Sequence, residues 1–388
     1  MKKVVCFMLF VLSLHAFADT PRQKALDLHK RIAGVPPTPA VLNQMENLIQ
    51  SSPGVAGLEA AADVAIQNPN FYNVTLKSWA KTLTNVSDSN RVPLDDMSAT
   101  IIGAIRDSDQ AGKPFGRILH EDVLYVGSGV AAYSPTNNNH YEELESRGAN
   151  LSSVLTEQTQ SSLGSVPDSD GIAGILSSRA WALAYYNMGT NRRATFYLLR
   201  NFMCSEMDYI MDVNIPDIYV ARDVTRSPGG DSSEYKSYCV GCHAAQDAMR
   251  PAWAYYDYDP ASGGITYTPG QVVQKMNQAG STFPEGFVTP NDNFVNLWGS
   301  MSAHMDRLGF KPPYSGVGAK DLGRQVANSS GFANCMVFKA FKKVCYRNPA
   351  ASESDMLDQV SQELEDSGNM KEVYKKVAAH CVEDKYEN

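Results

Sequence analysis

Apolar positions along the chain recur mostly at helical spacing. Val41, Leu42, Met45, Leu48 and Ile49 share one face of a helix, and Pro36-Pro37-Thr38-Pro39 gives that helix a rigid start. Phe71, Val74, Leu76 and Trp79 suggest another packed segment, and helical patterning runs from residue 19 to about residue 126. Within it, Asp95-Asp96 reads as a cap and Arg106-Asp107 as a solvated pair. Residues 128–150 hold Pro135-Thr136-Asn137-Asn138-Asn139 and few apolar anchors, which predicts a loop or linker. Residues 171–186 read as a buried segment, 193–203 as a helix, and 293–308 as a helix-like run. Residues 216–231 and 263–286 read as irregular and turn-rich.

The C-terminal pattern predicts three helices. The first spans 332–344, with Ala333, Met336, Val337, Ala340, Phe341 and Val344 on its apolar face. The second starts near Ser352, carries Met356, Leu357, Val360 and Leu364, and ends at Gly368. The third carries Met370, Val373, Tyr374, Val377 and Cys381. The fold class expected is therefore mainly α.

The N-terminus has a different character. Met1-Lys2-Lys3 precedes an apolar run from Val4 to Leu14 and the small-x-small sequence Ala16-Phe17-Ala18. This predicts a signal peptide at 1–18. The run is about 11 residues, against roughly 20 for a membrane span. The mature chain is expected to be exported, to the bacterial periplasm or cell surface, with no transmembrane segment. The formal charge of −8 disfavours nucleic acid as a partner, since that requires clustered Lys and Arg.

Export changes how the cysteines read. Six remain beyond residue 18, an even number suited to an oxidising compartment. Two lie in Cys239-Val240-Gly241-Cys242-His243, the C-x-x-C-H signature of covalent haem attachment. Two thiols at this spacing form thioethers with the two vinyl groups of one porphyrin. The adjacent imidazole then ligates the iron as proximal ligand. A thioredoxin-like redox pair would need a βαβ setting. A zinc site would need a second close ligand pair, which is absent from the sequence. One haem c is the cofactor expected.

The other four cysteines follow from helix geometry. Cys335 and Cys345 are ten residues apart, about 15 Å along a helix, beyond disulfide reach. An up-down-up arrangement brings Cys381 beside Cys345 and leaves Cys335 for Cys204. The pairs expected are Cys204–Cys335 and Cys345–Cys381.

Several segments resemble a family of exported bacterial proteins, the planctomycete-type cytochrome c family. These are His29 to Thr38, Gly171 to Leu176, Gly189 to Arg193, Leu198 to Cys204, the haem motif followed by Tyr256-Asp257, and Phe332 to Arg347. The family often follows its motif with Asp-Pro-x-Gly, whereas Asp247-Ala248-Met249-Arg250 lacks both Pro and Gly. The resemblance implies a mainly helical, exported haem protein. The organisation expected is a signal peptide (1–18), a helical N-terminal region (19–200), a cytochrome c-like haem region (201–330) and a C-terminal helical bundle (331–388).

Cofactor contacts beyond the motif can be assigned by chemistry. Met276, between turn-rich segments, is the leading distal iron ligand. Met305 and Met301 come next, then His304 or an open position. Trp253, with Tyr255, Tyr256 and Tyr258, offers an aromatic wall for the pocket. Arg250 has the guanidinium fork that suits a propionate. His29, His120, His140 and His380 lack motif partners and read as surface or satisfied core. The function expected is an electron carrier whose acidic surface suits a basic redox partner. A peroxidase-like haem enzyme, or a helical interaction protein with ancillary haem, would be the alternative.

Overall fold

A computed structural model of the protein describes residues 20–226, 232–278 and 282–387. The expected signal peptide lies outside the described residues, as do residues 227–231 and 279–281 of the two turn-rich stretches. The described chain is mainly helical. Its longer helices are α1 (Pro21–Ala33), α2 (Pro39–Ser51), α3 (Val55–Ile66), α4 (Asp96–Asp107), α5 (Asn139–Ser146), α6 (Arg192–Met203), α7 (Val240–Met249), α8 (Gly318–Ala327), α9 (Ser330–Cys345), α10 (Ser354–Ser367) and α11 (Met370–Glu387). Three antiparallel two-stranded ribbons interrupt them: β1 (Leu124–Val126) with β2 (Thr156–Gln158), β3 (Tyr256–Asp259) with β4 (Gly264–Tyr267), and β5 (Asn293–Val295) with β6 (Ser315–Val317). Among the described residues, no helix is long and apolar enough to cross a membrane.

Helix starts are written in local chemistry. Thr20 and Thr38 each accept a backbone N–H of the following first turn, and Pro21 and Pro39 occupy the first helical position. Asp95 caps α4 through a capping box with Ser98. Gly34 and Gly368 close α1 and α10 in the left-handed conformation that a glycine adopts without steric cost.

Tertiary packing joins the two ends of the chain. Helices α1 and α3 pack on α11, and α9 packs on both α10 and α11. Lys24 pairs with Glu383 at 2.8 Å, and Arg31 donates to the carbonyl of Val344 at 2.9 Å. One continuous apolar core runs from Ala25 to Val382. Residues of the expected N-terminal, middle and C-terminal regions all contribute to this core. The four cysteines pair as spacing predicts: Cys204 with Cys335 at a Cα separation of 5.2 Å, and Cys345 with Cys381 at 5.7 Å.

Four local expectations are corrected. Residues 128–150 are not wholly loop, because α5 buries Tyr141 and Leu144 one turn apart. Residues 293–308 form strand β5 and two single helical turns, since Asn296 caps a new turn by accepting from Gly299. Ser352 does not cap α10; Glu353, held by Arg347, turns back to accept from the N–H of Ala350 at 2.6 Å. Arg106-Asp107 is no solvated pair: Asp107 is buried, taken side-on by Arg106, and accepts from the Tyr125 hydroxyl at 2.7 Å.

Three of the motif-less histidines are satisfied within the fold. His29 bonds the Val35 carbonyl, His140 accepts from Gly127 N–H, and His380 faces Glu353. For His120, burial pushes the imidazole down to about 4, with Arg324 and Lys320 adding to the shift.

The Cys345–Cys381 bridge spans 36 residues. By chain-entropy arguments, a Cys345→Ala/Cys381→Ala variant loses about 3–4 kcal/mol. Denaturant unfolding under non-reducing conditions measures the loss directly.

Candidate functional site

The C-x-x-C-H sequence forms the start of α7. A short helix, Ser233–Tyr238, leads into it, capped by the Ser232 hydroxyl. Cys239 then turns the chain into α7, and the N–H of His243 donates to the Cys239 carbonyl at 3.1 Å. Helical spacing puts Cys239 and Cys242 on neighbouring turns of one face, with His243 beside them. Both cysteines are partly exposed and unbridged, while the other four are closed into disulfides.

The backbone of residues 211–213 lies directly against this turn. Asp212 N–H donates to the Gly241 carbonyl at 2.9 Å. A Cβ at position 241 would stand 3.3 Å from the Met211 Cβ and 3.4 Å from the Val213 Cγ1, so glycine permits the close approach. The segment around Met301–Met305 leans on the same loop. Ala303 N–H donates to Asp212 at 2.8 Å, and His304 Nε2 is 3.1 Å from the Met211 carbonyl.

The outcome is an apolar surface around the motif. Tyr238 is 82% exposed, Met211 54% and Val213 57%, with Met301 and Met305 exposed nearby. Exposed large apolar side chains gathered at one place mark a surface built to be covered.

The buried face of α7 carries two polar side chains, Gln246, which donates to the Arg192 carbonyl at 3.3 Å, and Asp247. Asp247, one turn after His243, is fully buried. Its carboxylate accepts from Arg192 Nε at 2.5 Å and Nη2 at 2.7 Å, from Ala221 N–H at 2.9 Å, and faces His243 Nδ1 at 3.4 Å. Arg192 completes its fork on Asp223 at 2.5 and 2.7 Å. Burial by itself would raise the Asp247 carboxyl. The bonds from Arg192 and His243 outweigh it and hold the group well below the usual carboxylate range. Arg192 is correspondingly raised, because its two carboxylates outweigh its own desolvation.

Upstream residues set Arg192 in place. Asn191 adopts a left-handed conformation and donates its amide to the Trp253 and Tyr256 carbonyls, both at 2.9 Å. That fixes the first residue of α6 against the end of the haem-motif segment.

The remaining expected contacts lie in the interior. Trp253 is fully buried and donates its indole N–H to Thr195 at 2.9 Å. Tyr256 stacks on Tyr186 at 5.3 Å and bonds the Gly171 carbonyl. Arg250 is also fully buried; it donates to the Met276 carbonyl at 3.3 Å and to Thr289 at 3.1 Å. Its Nε has no hydrogen-bond partner among the described residues, and burial lowers its pKa. Met276 is buried in a single turn, Gln274–Asn277, which the Arg250 contact ties to the residue just after α7. Sequence reading missed Asp247, Arg192, Asp223 and Met211 as parts of this site. The His243/Asp247 spacing of four within a helix was a usable signal for the first; the others are long-range.

The residues present fit a covalently held haem. Two thiols stand free on one helical face, and His243 Nδ1 faces a carboxylate while Nε2 has no hydrogen bond among the described residues. A ligating histidine is characteristically oriented in this way. The rival chemistries fit less well. The Cys242 thiol is pushed up by burial, Asp208 and Cys239, opposite to a redox-active pair. Among the described residues, no three His, Cys, Asp or Glu side chains are gathered to hold a metal ion, as zinc would need.

An Arg192→Gln variant leaves a buried carboxylate without its main partner. Denaturant unfolding should show a loss of about 3–5 kcal/mol. A loss below about 1 kcal/mol would mean that water compensates the charge.

No protein-family model, curated protein or solved structure matches the chain.

Proposed function

We propose that the protein is an exported monohaem c-type cytochrome that carries electrons through one covalent haem c. The observation that carries the reading is the state of the C-x-x-C-H turn. Its two thiols are left out of disulfides, and its imidazole is turned with Nδ1 on a buried carboxylate. Cys239 and Cys242 would hold the porphyrin, and His243 would be the proximal ligand. Haem supplies a one-electron couple at its iron, which side chains alone do not. Asp247 orients His243, and Arg192 with Ala221 N–H keeps Asp247 ionised and fixed. The apolar residues around the turn would cover the ring and keep water from it.

Export to the periplasm or cell surface belongs to the same reading, supported by the two disulfides and the N-terminal signal pattern. An acidic chain favours a basic redox partner. Likeness to the planctomycete-type cytochrome c family is part of the same proposal. The distal ligand is drawn from Met276, the sequence-based choice, and from Met211, Met301, Met305 and His304, which flank the turn.

One observation favours a second reading, a haem enzyme with an open distal position. His243 faces a carboxylate rather than a backbone carbonyl, which makes the imidazole a stronger donor to iron. High-spin iron and rapid reaction with peroxide would select that reading over electron transfer.

Expressed with c-type maturation machinery, the wild-type chain should retain one haem mass after denaturation, and Cys239→Ser/Cys242→Ser should retain none. A wild-type chain without the added mass overturns the proposal. In the low-spin protein, alanine substitution of the true distal ligand alone should abolish the low-spin spectrum. Asp247→Asn should leave attachment intact and raise the midpoint potential, because a weaker donor stabilises ferric iron less. An unchanged potential removes Asp247 from that role.

A further inference from the structure

Away from the motif, a cleft of about 990 Å³ opens between α6, α9 and residues 78–83. This volume is at the upper end of small-molecule sites. Its α9 wall is cationic: Lys339, Lys342 and Lys343 lie at spacings of three and four, which puts three amines on one helical face. Arg200 and Arg307 add two guanidiniums, and Asp88 and Glu206 are the acids that line it.

Both acids are already engaged. Arg200 pairs with Asp88 at 2.5 Å and Glu206 at 3.2 Å. Lys339, Lys342 and Arg307 have no ion-pair partner among the described residues, and Lys343 reaches only the Ser78 hydroxyl at 3.1 Å. In a chain of net charge −8, unpaired cations gathered in one concavity are a local inversion of the field. Burial pushes the Lys339 ammonium down to about 8, with Asp88 opposing and Arg200 and Lys342 adding. Lys343 is lowered by burial as well.

The walls between the charges are aromatic. Trp79 and Phe338 line the cleft, with the Lys342 amine 5.5 Å from the Phe338 ring centre. Tyr209 carries the Arg307 guanidinium 5.6 Å from its own. The Cys204–Cys335 disulfide joins α6 to α9, so the two walls are covalently tied together.

We propose that this cleft binds a small organic polyanion, with two or more carboxylate or phosphate groups on a partly apolar body. The unpaired amines supply the charge, the aromatic side chains take the apolar body, and the recessed shape selects a small molecule. The proposal is independent of haem binding.

Pyridoxal 5′-phosphate is a direct probe, because it joins a phosphate and an aromatic body to an aldehyde. An uncharged lysine amine condenses with the aldehyde to an imine with loss of water, and borohydride delivers hydride to give a stable secondary amine. On the full chain, peptide mapping should find Lys339 labelled ahead of other lysines, and citrate should protect it. Lys342→Gln/Lys343→Gln should weaken citrate protection about tenfold, with near-ultraviolet circular dichroism confirming an intact fold. Even labelling across the surface lysines without citrate protection would overturn the proposal. So would protection by a poly-glutamate peptide but not by citrate, which would make the site a protein-docking surface.

Discussion

The structure around the C-x-x-C-H motif depends on one charge group, in which the half-buried Arg192 lies between the fully buried Asp247 and the half-buried Asp223. Taking these charges out of water is costly, and the cost is offset only because the guanidinium fork meets both carboxylates with good geometry. Ala221 N–H completes the Asp247 shell. The group ties together three pieces of chain distant in sequence: the start of α6, the irregular segment near 221–223, and the inner face of α7. The orientation of His243 follows, because Asp247 faces its Nδ1 from one turn away.

The surrounding scaffold holds α6 in place through its packing on α9 and the disulfide beside it. The chain's two ends form a helical bundle in which α11 sits on α1 and α3, and both disulfides involve α9. One bridge joins α9 to α11 and the other joins it to the residue that ends α6. Helix α6 therefore carries Arg192, the partner of Asp247, at its start and a covalent tether at its end. The chain that follows, residues 207–213, backs the haem-motif turn with Met207 and Met211 and reaches the cationic cleft with Tyr209. A single short stretch thus borders both candidate sites.

Much of this was legible in residue order, for reasons that differ by element. The stripes of α2, α9 and α11 were readable because burial of one helical face imposes a period. The cysteine pairs were readable because a helix has a fixed rise, which forbids Cys335–Cys345. Thr38-Pro39 and Gly368 mark helix ends because capping is local chemistry. Where local pattern failed, a distant partner had decided. Helix α5 lacks a long apolar stripe, yet Tyr141 and Leu144 suffice once a core is there to receive them. Arg106-Asp107 looked solvated until Tyr125 and the core closed over the acid.

The primary structure by itself determined the helical class and the sorting of cysteines into two bridges and one C-x-x-C-H turn. Each follows from spacing within a helix or from covalent reach. Only the tertiary structure decided that Asp247 is shared by His243 and Arg192, that Arg250 and Trp253 lie in the interior, and that five basic side chains converge in one cleft. Arg192 and Asp247 are 55 positions apart, and Arg200 meets the α9 lysines from beyond a disulfide of separation 131. Such meetings are set by how elements pack, and the spacing of residues within any one element carries no record of them.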